Sequence, residues 1–142
     1  MSRTFGGTTQ DAKNTPILGA PFWKKGIAIV GRVAGHFQSR NGICISIELM
    51  ETAVIGGKNV KGPKTVKTTL ADDTPVETGR VAIGALKGFY MALDVAGCPI
   101  PVPIGTILGI QCTGVSETEY ESDMVEFAVT GELPPPPFGR QP

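Results

Sequence analysis

At 142 residues, with 41% hydrophobic and 18% charged side chains, the chain has room for one domain with a packed core, plus tails. No apolar run is long enough to cross a bilayer, and residues 1–21 lack a signal-peptide core, so a cytoplasmic protein free of membranes is expected. Thirteen basic and thirteen acidic residues cancel, yet ten of the basic ones stand in residues 1–70 against three acids, leaving +7 there and −7 beyond. That split points to an anionic partner for the first half or to self-association between unlike halves, unless the fold interleaves them.

Nineteen glycines and twelve prolines favour short strands and turns over long helices. Residues 1–21 read as a flexible N-terminal arm, with Ile17 and Leu18 as points of partial order. Phe22-Trp23-Lys24-Lys25 follows. Two aromatics and then two lysines suit a base-stacking platform beside a phosphate contact, or a hydrophobic plug closing one end of the fold. Phe22 fits the plug. Trp23 fits the stacking role, because its indole N–H favours a wet edge.

Residues 26–51 predict two long strands joined at Asn41-Gly42, a pair suited to a tight hairpin. Period-2 alternation places Ile27, Ile29, Val33 and Phe37 on one face of strand one, with Val30, Arg32 and His36 on the other. Gly31 and Gly35 on the apolar face allow a bend or a bulge. Residues 52–64 then form a mobile basic loop with turn signals at Gly56-Gly57 and Gly62-Pro63, and residues 64–70 a third strand. Lys58, Lys61, Lys64 and Lys67 run without an intervening acid, which suits a polyanion or a solvated edge.

Residues 81–95 predict a helix, with Thr78 as its cap, Gly97 just past its end and Pro99 preventing continuation. Gly84 and Gly88 within it imply tight packing on a sheet. A fourth strand follows over residues 101–114 and a fifth over 124–130, separated by a loop carrying Glu117, Glu119, Glu121 and Asp123. Residues 133–142 hold four consecutive prolines and form an exposed arm, either a docking peptide for a protein partner or a plain terminus.

The three cysteines, Cys44, Cys98 and Cys112, have neither disulfide-framework nor metal-ligand spacing and read as buried thiols. Phosphate loop, nucleophile elbow and metal motif are missing, and the lone His36 has no nucleophile partner visible in sequence. An enzyme, a metal and a cofactor are therefore not expected.

The order strand, Asn-Gly turn, strand, basic loop, strand, helix, strand, loop, strand resembles the OB-fold. The run of residues also resembles the small single-stranded-DNA-binding proteins of bacteria and phages, over most of residues 26–132. The resemblance implies a mostly β domain over residues 22–132: a five-stranded Greek-key barrel with one helix between strands three and four. It places a binding surface on Arg32, His36, Arg40, Lys58, Lys61, Lys64 and Lys67, with Trp23 near the rim. Lys24 and Lys25 beside Trp23 and the aromatic Phe37 complete the expected site. The acidic loop at 117–123 and the non-acidic proline tail depart from that family's pattern.

The expected function is non-enzymatic binding of single-stranded DNA or RNA, DNA favoured, with little sequence preference. The alternative is a structural protein that self-assembles into rings or filaments through basic-to-acidic contacts and terminal arms. A homo-oligomer suits both.

Overall fold

The computed structural model describes residues 15–19, 22–39, 42–70, 72–84, 86–115 and 125–134. Residues 1–14, 20 and 21 of the predicted N-terminal arm (1–21), residues 135–142 of the predicted tail (133–142), Arg40 and the acidic loop at 117–123 lie outside them. Among the described residues the chain is mostly β with one regular α-helix. β1 (Ala28–Ser39) and β2 (Gly42–Leu49) form the predicted hairpin. β3 (Thr52–Ile55) and β4 (Lys58–Lys61) make a second hairpin, and β5 (Val66–Thr69) and β6 (Pro75–Thr78) a third. Then come β7 (Arg80–Gly84), α1 (Lys87–Val95), β8 (Ile107–Val115) and β9 (Val125–Glu132).

Five strands pair antiparallel in the order β7-β2-β1-β8-β9. The third strand of this sheet is not the predicted one. Residues 66–69 pair with β6, and the place beside β2 belongs to β7, whose residues 81–84 the sequence assigned to the start of the helix. Val81, Ala82 and Ile83 carry spacings compatible with either state; burial between β2 and residues 16–18 selects the strand. Gly84 confirms the close approach. A Cβ there would stand 2.8 Å from the carbonyl oxygen of Ile43. The helix begins later than predicted, at Lys87 rather than Val81, with Leu86 rather than Thr78 at its N-cap and no side-chain cap bond. It ends as predicted: Gly97 follows the C-cap Ala96 with φ +76.

The sheet does not close into a barrel by hydrogen bonds between β7 and β9. The free edge of β7 is taken by the N-terminal segment. Leu18 N donates to Ala82 O and Ala82 N to Pro16 O, both at 2.8 Å. Ile17 and Leu18 thus order that segment as expected, and Leu18 is fully buried. At the other end α1 packs against β9, with Gly88 directly over the Val125 carbonyl.

The core lies on one face of the sheet. Ile29 and Val33 of β1, Ile45 and Ile47 of β2, Val81 and Ile83 of β7, and Leu108 and Ile110 of β8 supply it. Phe89 and Leu93 of α1 cover them. Each fully buried aliphatic or aromatic side chain of this kind contributes roughly 1.5–3 kcal/mol.

The opposite face is not left to solvent. Val30, expected to point outward, is only 1% exposed. The β3–β4 hairpin folds back across it: Ala53 and Ile55 are buried beneath the hairpin while Val54 between them is exposed. Ile55 and Val60 lie over Gly109, and Gly62 lies over Val30. Gly56 and Gly57 make the reversal with φ +58 and +80. What reads in sequence as a mobile basic loop is a docked flap, because alternation in β3 gives it an apolar underside. Among the described residues no helix is long and apolar enough to cross a membrane.

Candidate nucleic-acid interface

Four of the cations stand around one corner of the sheet. Arg32 lies directly opposite Glu48, and Glu48 directly opposite Arg80, so the three form one row across β1, β2 and β7. Directly paired residues project to the same side of a sheet. Arg80 Nε donates to Ser46 Oγ at 3.2 Å, and its Nη2 stands 3.9 Å from Glu48 Oε1. Residues 62–64 run across the same corner, from Val30 to the start of β7: Gly62 N donates to Glu51 O, and a Cβ on Gly79 would stand 3.1 Å from Lys64 O. Lys61 and Lys64 therefore flank a crossing segment that begins beside Val30, two residues from Arg32, and ends beside Gly79, next to Arg80. Arg32, Lys61, Lys64 and Arg80 are all exposed.

The remaining cations are apart from this group. Lys24 and Lys25 are exposed in the turn that leads into β1, where Gly26 N donates to Cys112 O at 2.9 Å. Lys58 sits at the far tip of the flap, beside the turn whose Gly56 N donates to Glu132 Oε1. Lys67 lies opposite Glu77 in the third hairpin, whose carboxylate accepts from Thr65 Oγ1 at 2.9 Å. Phe37 lies in β1 opposite Cys44.

Two expected site residues are corrected. Trp23 is 2% exposed, and its indole Nε1 donates to Leu18 O at 3.2 Å. Phe22 and Phe127 meet its ring edge-on, with centroids 5.2 Å and 4.9 Å away. The indole N–H finds a buried carbonyl instead of water, so the ring is a plug and offers no face to a base. His36 is the second. The register of β1 against β2 shifts between Val33 and Gly35, which reverses the side every later residue takes. His36 thereby falls opposite Ile45, on the core side, and its Nε2–H is held by the Val102 carbonyl.

Comparison with protein-family models, with curated proteins and with solved structures finds no match to this chain.

Arg80 is the member of the group that sequence reasoning missed. It stands just before residues 81–95, which the sequence predicts as a helix. Its signal was the alternation of Val81 and Ile83 just after it, which makes it the first residue of a strand. Among the described residues no group of three or more His, Cys, Asp or Glu could hold a metal ion. Cys44 and Cys112 are buried as expected, whereas Cys98 is half-buried, and burial raises its thiol pKa above the ordinary value.

Proposed function

We propose that this protein is a non-enzymatic binder of single-stranded nucleic acid, DNA favoured over RNA, with little sequence preference. The placement of Arg32, Arg80, Lys61 and Lys64 around one corner of the sheet carries the reading. Guanidinium and ammonium groups on a sheet surface suit phosphate oxygens, and neutralising phosphates releases counterions. In this reading the five-stranded sheet, with α1 following its third strand in chain order, is an OB-fold whose seam between β7 and β9 stays open. With Trp23 in the core, affinity rests on phosphate contacts more than on stacking. The protein then distinguishes bases weakly and loses affinity steeply as salt rises. Fluorescence polarisation with a labelled oligothymidine and a labelled duplex, each at low and high salt, tests this. The oligothymidine is expected to bind better than the duplex and to be released by salt; no binding at about 50 mM salt removes the proposal.

A second reading, a self-assembling structural protein, is favoured by the free edge of β9. Among the described residues β9 pairs only with β8. Beside it Met91 and Val95 of α1 are 59% and 88% exposed along an open groove. Unpaired edges with adjoining apolar surface are sites of strand addition. Light scattering across a salt series separates the two readings: a monomer at every salt concentration removes assembly and leaves binding untouched.

A further inference from the structure

We infer that Glu48 is an internal competitor for the phosphate at this site: its carboxylate stands beside the guanidinium that an incoming phosphodiester would engage. The inference rests on the nucleic-acid reading above.

Glu48 stands between two arginines in one cross-strand row, opposite Arg32 on one side and Arg80 on the other. Its carboxylate is 3.9 Å from Arg80 Nη2, and the two side chains are 53% (Arg80) and 63% (Glu48) exposed. An ion pair this open to water is held weakly and exchanges readily for another anion. Arg80 is fixed separately. Its Nε donates to Ser46 Oγ, and Ser46 is only 8% exposed, so the guanidinium stays on the sheet when the carboxylate leaves. A guanidinium has five N–H donors, and the Ser46 bond uses one, leaving the outer N–H groups to face an anion. A phosphodiester oxygen presents the same charge and acceptor geometry as the Glu48 carboxylate and brings further phosphates to Lys61 and Lys64. Glu48 thus lowers the affinity for an isolated anion and favours a polyanion long enough to engage the lysines as well.

The test is polarisation with fluorescein-labelled oligothymidine on the full chain, comparing wild type, Glu48→Gln, Arg80→Gln and the double variant. Circular dichroism checks that each is folded. If Glu48→Gln does not fold, Glu48→Thr, a strand-favouring residue, replaces it. Removing the competitor is expected to tighten binding about two- to fivefold at low salt, the size of one exposed charge interaction, with the gain fading as salt rises. Arg80→Gln is expected to cost more affinity in the Glu48→Gln background than in the wild type, because only there is Arg80 fully released to phosphate. Wild-type binding with equal or weaker binding by Glu48→Gln overturns the competitor role and leaves the binding function standing. Failure of both wild type and Glu48→Gln to bind at low salt overturns the function and this inference together.

Discussion

Gly88 of α1 lies directly on the carbonyl of Val125 in β9, so closely that a methyl group on Gly88 would overlap the oxygen. This contact seats the helix against the edge strand and holds Phe89 and Leu93 over the core. Gly88→Ala should therefore destabilise the protein. Alanine favours the helix by about 1 kcal/mol. Overpacking against a strand backbone costs about 1–3 kcal/mol, and the obstructing atom belongs to a paired strand that yields little. Urea unfolding is expected to show a lower midpoint; a higher one would mean that α1 is free of β9.

Trp23→Ala should cost about 3–5 kcal/mol, as for other large aromatic-to-alanine changes in cores. The same burial makes Trp23 a reporter. Its emission should be blue-shifted in the native protein and unchanged by saturating oligothymidine. Quenching by the oligonucleotide would place the ring against a base and contradict its role as a plug between Phe22 and Phe127.

Neutralising the cations around that corner of the sheet should act differently from neutralising Lys67. Arg32→Gln, Lys61→Gln and Lys64→Gln are each expected to weaken oligothymidine binding and to reduce the slope of log K against log salt by about one. Lys67→Gln should change the slope little, because Glu77 stands opposite it. Equal effects at all four positions would disperse the site over the surface.

Thr106 is 1% exposed, and among the described residues its buried hydroxyl has no hydrogen-bond partner. An unsatisfied buried hydroxyl contributes a desolvation penalty and nothing in return. Thr106→Val, of similar shape, should leave stability unchanged or raise it by about 1 kcal/mol. A marked loss in thermal melting would reveal a partner for the hydroxyl in solution.

The thiols should react in two classes. Burial holds the Cys98 pKa above that of an ordinary thiol, so at any pH below that value less of it is thiolate. Its alkylation by iodoacetamide should be slower than that of a free thiol and should accelerate at a higher pH. Cys44 and Cys112, both fully buried, should react only on unfolding. Fast labelling of all three in native buffer would show that the sheet opens readily.

The first hairpin and the end of the helix were legible because their signals are local. Asn41-Gly42 flanked by alternating residues specifies a hairpin, and Gly97 followed by Pro99 stops a helix whatever surrounds it. The start of the helix was not legible. Residues 81–84 satisfy both periodicities over so short a span, and only the neighbours β2 and residues 16–18 decide between them. His36 was misplaced for a related reason. Alternation counts residues, and a one-residue shift between Val33 and Gly35 inverts every later assignment without leaving a mark in composition.

By itself the amino-acid order determined a β-rich chain, its first hairpin, its last two strands and the set of cations available to an anion. Tertiary structure alone decided which of them meet. Arg80 joins Arg32 because two long-range strand pairings lay β7, β2 and β1 side by side, and Lys61 and Lys64 join them because the flap folds over Val30. Trp23 leaves the surface because Phe127 of β9 packs against its ring and because Leu18, bonded to Ala82 of β7, offers its indole N–H a buried carbonyl. Contacts between residues far apart in the chain carry no local signature, so their outcome appears only when the sheet is assembled.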